Sequence, residues 1–228
     1  MARRPRLSIA GELHYVVQTG HNGQAVFIDD VDRTAFLGML RDAARATGVA
    51  VHAYALLDDA VHLLAVPAEA NALGRLMQSL GRQYVSAFNR RHGRSGSLWA
   101  GRFRCAPVDA VAFGYAAILE VESAPVAKGL TVDAGGFPWS SAGHHLGHLR
   151  DALVSDHPAY WAIGNTPFER ESVHANNLCS ARAGLGLPLS LAASQGRPVG
   201  DTESLKRFAA RGGGLPTVAR RGRPRKSS

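Results

Sequence analysis

The sequence predicts an α+β fold, a ferredoxin-like antiparallel sheet with helices packed on it. Three observations carry that expectation. The elements succeed one another as strand, helix, hairpin, helix, strand, helix, an order that suits a single antiparallel sheet. Two apolar runs, residues 49–57 and 60–66, are parted only by Asp58 and Asp59, the pattern of a β-hairpin with a short acidic turn. Phe36, Met39, Leu40 and Ala43, and again Leu73, Leu76, Met77, Leu80, Tyr84 and Phe88, recur at helical spacing.

Residues 12–18 and 24–28 read as strands, with Gly20 to Gly23 turning between them. Asp29 and Asp30 stand where a helix N-cap belongs, Asp32 complements the dipole of the first turn, and Gly48 stops that helix. The second helix runs from about 70 to 91, with Arg75, Arg82 and Ser86 off its apolar stripe and Gly93 to Gly96 breaking it. Residues 97–108 read as extended. A third helix covers about Asp109 to Ser123 and is expected to end at Pro125. Residues 151–203 read as short helices and loops, and 211–228 as disordered for want of apolar residues.

The net charge of +8 is unevenly placed. Eight basic residues and no acidic one lie from Lys206 onward, so residues 1–203 balance at 18 basic and 18 acidic. Residues 70–108 hold seven arginines and no carboxylate. Two basic segments in an otherwise neutral chain point to a polyanion, with a solubilising surface and tail as the bland alternative. Cys105 and Cys179 are too few for a disulfide framework or a metal cluster. No unbroken apolar run of membrane-spanning length and no secretion signal occur, so no membrane partner and a cytoplasmic location are expected.

The chain resembles the REP-associated tyrosine transposases, of the insertion-sequence-200-like branch of the HUH endonucleases. The resemblance covers most of residues 1–178. It rests on GELHYVV at 11–17, QAVFIDD at 24–30, HAYALLD at 52–58 and HLL at 62–64. It continues through GRQYVSAFNRRHGRSGSLWAGRFR at 81–104, then Pro125-Val126, Gly129-Leu130 and FPWSS at 137–141. The resemblance implies a single-strand DNA nickase. In that family two histidines one residue apart on a strand share a face and bind a divalent ion, a tyrosine on a helix attacks the phosphate, and an asparagine four residues later completes the ion's shell.

Here the family's first histidine falls at Ala60 and only the second, His62, is present. The tyrosine falls at Glu120 and the asparagine at Ala124. A methyl group binds no ion, and a carboxylate neither forms a phosphotyrosine nor welcomes a phosphate beside it. The resemblance thus implies a DNA-binding protein with no intact catalytic residue and His62 as a vestigial ligand. No cofactor is expected, with Mg²⁺ or Mn²⁺ the ions if activity survives. Thr19 and Gly23 stand where relatives carry arginine. The implied organisation is a transposase-like DNA-binding domain at 1–150, a helical or irregular extension at 151–203 and a basic tail at 204–228.

Arg82, Arg90, Arg91, Arg94, Arg102 and Arg104 are the expected phosphate contacts of the folded part. Tyr84, Phe88, Trp99 and Phe103 lie among them as base-stacking or core residues. In the tail, Arg221, Arg223 and Arg225 belong to RRGRPRK, which resembles an AT-hook for the A·T-rich minor groove. Other residues keep two readings each. Asp58, Asp59, His62 and Glu120 form either a new metal site or ordinary turn and packing groups. Tyr115 is a displaced nucleophile or a packing residue. His144, His145 and His148 have metal-like spacing but read as a surface loop. The expected partner is single-stranded or hairpin DNA, with the oligomeric state left open. The alternatives are a working metal-dependent endonuclease using altered residues and a folded remnant with no nucleic-acid role.

Overall fold

The structure, a computed structural model, describes residues 6–181 and 189–211. Its centre is a four-stranded antiparallel sheet in the order β2-β3-β1-β4, with β1 at Leu13–Thr19, β2 at Val49–Leu57, β3 at Ala60–Pro67 and β4 at Arg104–Val108. Helices α1 (Asp30–Thr47) and α2 (Ala72–Arg91) interleave with the strands, and α3 (Ala110–Ala127) follows β4. This is the ferredoxin-like arrangement expected.

Alternation along each strand builds two cores. Val16, Val51, Tyr54, Leu56, Val61, Leu63 and Cys105 face α1 and α2, where they meet Phe36, Leu40, Leu76, Leu80, Tyr84 and Phe88. Leu13, Tyr15, Val17, Ala55, Ala60, Leu64, Ala106 and Val108 face the other way, onto Ala117, Ile118 and Val121 of α3. The Asp29 side chain caps α1 by accepting from the N–H groups of Val31 and Asp32, and Gly48 takes the left-handed conformation that ends it (φ 69°).

Two expectations need correction. Residues 24–28 form no strand. Both sides of β1 are already taken, by β3 and β4, so the segment has no edge to join. Val26 and Phe27 instead turn inward, fully buried, and both backbone N–H groups donate to the Asp58 carbonyl. Nor does Pro125 end α3, which continues to Ala127. In the last turn a proline forfeits one intrahelical bond, and Pro125 recovers its place by burial. By length and composition α3 is apolar enough to cross a membrane. It nonetheless packs along the sheet and carries Glu120 and Glu122, as a core helix does.

Beyond α3 the chain wraps the same sheet. Short helices α4 (Ala142–His145) and α5 (Pro158–Trp161) are followed by α6 (Pro167–Ser180), α7 (Leu189–Gln195) and α8 (Thr202–Arg211). Backbone bonds from Leu56 to Trp139, from Ser141 to Tyr54 and from Ser155 to Val51 cover the free edge of β2. Val199 pairs with Pro107 and Asp109 along β4. Leu189, Ala192 and Ala193 of α7 lie in the α3-side core. Phe208 of α8 is buried with Leu7 and Ile9, so α8 spans the boundary at 203/204.

The N-terminal strand carries a buried histidine in one tautomer. The Ile9 N–H donates to His14 Nε2 (3.1 Å), so Nδ1 carries the proton and donates to the Glu12 carbonyl (2.8 Å). Burial lowers the ring's pKa to about 4, against a smaller opposing pull from the Glu12 carbonyl. The folded value lies below the unfolded one, so the unfolded chain binds this proton first. The contribution of His14 is therefore complete above about pH 6.5 and drains away as pH falls toward 4, by on the order of 3 kcal/mol. Urea midpoints measured across that range should fall steeply for the parent and less so for His14→Gln. Parallel acid limbs would contradict this assignment.

Candidate functional site

Of the four positions to which the resemblance points, Ala60 and His62 lie on β3 and Glu120 and Ala124 on α3, which packs over that face of the sheet. Ala60 and His62 are two apart on β3 and point to the α3 side. Ala60 is 3% exposed, inside the cluster that holds Ala117, Ile118 and Val121, and Ala124 packs against the same cluster. Ala60 and Ala124, where the resemblance would put the first histidine and the asparagine, are thus methyl groups in an apolar layer.

His62 is only partly buried, but its ring is engaged. Its Nδ1 and the Tyr15 hydroxyl share a 2.6 Å hydrogen bond, and the same hydroxyl lies 3.0 Å from Ser190 Oγ on α7. Burial pushes the Tyr15 hydroxyl up to about 12, against the Ser190 hydrogen bond and with a smaller addition from the charge of Glu120. Burial holds His62 neutral, with its pKa lowered to about 4. At this place lie one imidazole and the hydroxyls of Tyr15 and Ser190, with methyl groups at 60 and 124, and among the described residues neither His62 nor Glu120 belongs to a group placed to share an ion, a poor fit to a catalytic Mg²⁺ or Mn²⁺ wanting several oxygen ligands. Asp58 pairs with Arg33, and Asp59 with Lys128 at 3.1 Å. Among the described residues Asp58, Asp59, His62 and Glu120 do not come together as a metal-holding group.

The arginines divide. Arg91, one of the expected DNA contacts, is paired within the fold while still partly exposed. It donates to Asp29 at 2.6 Å and to Asp32 at 2.6 Å, tying the end of α2 to the N-terminus of α1. The Arg91 hydrogen bond is the main reason the Asp29 carboxyl is held down at about 2. Arg94 reaches Gln24 Oε1 (3.1 Å) and lies over the Phe88 ring. Arg82, Arg90, Arg102 and Arg104 are exposed and make no ion pair among the described residues.

Register places Arg104 with respect to the family positions. Val17 of β1 is opposite His62 on one side and opposite Arg104 on the other. Arg104 alternates with Cys105 and so shares the α3 face with Ala106 and Val108. Two strand spacings put it about 10 Å from His62 across the sheet.

The aromatics among these arginines are core residues. Tyr84 and Phe88 are 1% exposed, Trp99 is 7% and Phe103 is 8%, so none offers a free face to a base. The Tyr84 hydroxyl donates to the Val26 carbonyl at 2.6 Å. Tyr115 is half-buried and bonds His174 Nδ1 (3.2 Å) and the Asn177 side-chain amide (3.2 Å), a packing role.

A cluster that sequence reasoning missed lies where α3, α4 and α6 meet. Glu122, His145 and His174 are each fully buried. Glu122 Oε1 accepts from His145 Nδ1 (2.6 Å) and from the Ser141 hydroxyl (2.5 Å), while Oε2 accepts from His174 Nε2 (2.8 Å). The expected surface loop at 144–148 is thus corrected. His145 closes α4 and points inward, because a buried carboxylate needs a cationic partner. Burial works against the charge on Glu122, but the His145 and His174 rings outweigh it and hold the carboxyl well below its ordinary range. Burial would likewise lower His145, yet the Glu122 carboxylate raises it. One signal was available in advance. Ile118, Val121, Glu122 and Pro125 fall at i, i+3, i+4 and i+7, so Glu122 occupies the buried stripe of α3.

Arg221, Arg223 and Arg225 lie outside the described residues. No protein-family profile matches the chain, and no curated protein matches it. Solved structures do. A REP-associated tyrosine transposase bound to a REP hairpin is similar with a TM-score of 0.54 at 14% identity, over 69% of this chain and 93% of that one. A Deinococcus radiodurans protein assigned provisionally to the transposases is 22% identical over 47% of this chain and 87% of that one, with a TM-score of 0.37. The first similarity establishes a shared fold across nearly the whole of the other chain. The second is too partial to bear on function.

Proposed function

We propose that this chain is a DNA-binding relative of the REP-associated tyrosine transposases that does not cut DNA by their mechanism. The observation that carries the proposal is the face beneath α3. Ala60 and Ala124 fill it with methyl groups, His62 is bonded to Tyr15, and exposed Arg104 stands about 10 Å away across Val17. Such a surface attracts phosphate, but its one phenol, Tyr15, is buried, bonded to His62 and Ser190 and held protonated, and the two alanines supply no ion ligand. The fold shared with a hairpin-bound transposase supports a DNA hairpin as the partner. The basic tail supports a second, A·T-rich contact through Arg221, Arg223 and Arg225. The cytoplasm, where DNA is available, suits this role.

A labelled DNA hairpin with a single-stranded flank, incubated with and without Mn²⁺, provides the test. Salt-sensitive binding with no nicked product and no covalent protein–DNA adduct is the expected result. An adduct or a nick that depends on Mn²⁺ would establish the working endonuclease instead, and no binding at physiological salt would establish the remnant. Restoring Ala60→His, Glu120→Tyr and Ala124→Asn together probes the same positions. Enlarging a side chain at Ala60, inside a filled layer, should cost about 1–3 kcal/mol of stability. If the triple variant still folds, partial nicking is expected. A folded variant that binds but never nicks counts against the assignment of these three positions.

A further inference from the structure

We propose that Glu122, His145 and His174 form a structural site for a divalent transition ion of the zinc type, one that pins α4 and α6 to α3. Three elements each contribute one residue. One carboxylate and two imidazoles, fully buried, place a donor atom each within 4.8 Å of the others. Two nitrogens and a carboxylate are a donor set that zinc takes readily and that magnesium and calcium do not.

The arrangement behind the donors is the second observation. A histidine that binds an ion through one ring nitrogen holds its other N–H against a polar group, which fixes the ring. His174 presents Nε2 to the cluster while its Nδ1 lies 3.2 Å from the Tyr115 hydroxyl, itself held by Asn177. His145 presents Nδ1 to the cluster. Its Nε2 is buried with no hydrogen-bond partner among the described residues, yet it points toward Asp156 Oδ1 at 3.9 Å. His144 holds that carboxylate in place at 3.1 Å. A carboxylate, a histidine and an ion in line is a recurring metal-site arrangement, and here the outer carboxylate is already aimed.

Zinc–ligand bonds of about 2.0–2.2 Å set tetrahedral donors roughly 3.3 Å apart. The 2.6 and 2.8 Å contacts of Glu122 with the two rings must therefore open by about 0.5–0.7 Å as the ion enters. That opening carries His145 Nε2 toward Asp156. The second carboxylate oxygen of Glu122 is placed to complete the shell.

The experiment uses the full chain, stripped with a chelator and then titrated with Zn²⁺ against a chromophoric competitor, with Co²⁺ as a spectroscopic substitute. One equivalent of Zn²⁺ should bind, the midpoint of thermal unfolding should rise, and Co²⁺ should give the visible bands of a four-coordinate site. His174→Gln should weaken binding by more than the about 10–100-fold that loss of an outer partner costs. Asp156→Asn should fall within that smaller range. His148→Gln, an exposed residue outside the cluster, should change nothing. The parent chain alone can overturn the proposal, by showing no stoichiometric Zn²⁺ and no thermal shift. So can a folded His174→Gln variant that binds as the parent does.

Discussion

Replacing Glu122 by alanine should lower the unfolding free energy of chelator-treated protein by about 3–5 kcal/mol, the cost of breaking a buried ion pair while leaving a partner inside. Among the described residues the carboxylate is the only acceptor for the inward nitrogens of both His145 and His174, and it also takes the Ser141 hydroxyl. Ser141 in turn accepts from the Tyr54 backbone N–H of β2, so the group links the sheet, α3, α4 and α6. Alanine leaves two buried imidazoles facing a void, and neither can turn to water. Urea denaturation followed by circular dichroism gives the number, provided the slope with denaturant is unchanged. Hydrogen exchange should show α6 losing protection first, because its other anchors are few: Leu178 is its one fully apolar buried residue. A loss under 1 kcal/mol would show that the triad is incidental to folding. Glu122→Gln should cost less, since its amide oxygen still accepts one ring N–H.

The parts of this fold that were legible in sequence are those set by local rules. The period of Phe36, Leu40, Leu76, Leu80 and Tyr84 marks two helices, and Asp58-Asp59 between apolar runs marks the β2–β3 hairpin. These depend on spacing alone. The errors share another origin. Residues 24–28 carry the apolar, β-branched and aromatic residues of a strand, but whether a strand forms depends on a free neighbour, and β3 and β4 had occupied both sides of β1. Pro125 reads as a stop until burial of the last turn outweighs one lost bond. The pairing of Arg91 with Asp29 and Asp32 was likewise hidden, because those carboxylates lie 59 or more positions away. His145 and His174 gave no local sign, because their partner Glu122 lies 23 and 52 residues off. The positions to which the resemblance points differ in that their placement depends on register alone. Ala60, His62, Glu120 and Ala124 are fixed by their register within β3 and α3, and the sheet carries that register into space.

Changing Arg82, Arg90, Arg102 and Arg104 together to alanine should weaken binding to a DNA hairpin by roughly three orders of magnitude near 0.1 M salt. Each arginine that neutralises a duplex phosphate releases a counterion and contributes about 0.9 to the slope of log affinity on log salt, or about 0.7 on single strands. Four such contacts give a slope change of about 3–4, and the variant's curve should be flatter by that amount. The choice of residues follows from their surroundings. All four are exposed without an ion pair among the described residues, whereas Arg91 is held by two carboxylates and its alteration would test folding instead. Arg82 and Arg90 are eight positions apart on α2, about 80° around the axis, and both avoid the Leu76, Leu80 and Tyr84 stripe. Arg104 extends that cover to the face beneath α3. Because these side chains bury little, circular dichroism and thermal unfolding of the variant should match the parent, which separates lost contact from lost fold. A tail variant, with Arg221, Arg223 and Arg225 changed to alanine, should keep most of the hairpin slope and lose any preference for A·T-rich duplex. If the tail variant abolishes hairpin binding while the four-arginine variant retains the parent's salt slope, the folded domain is not the reader of DNA and the tail is.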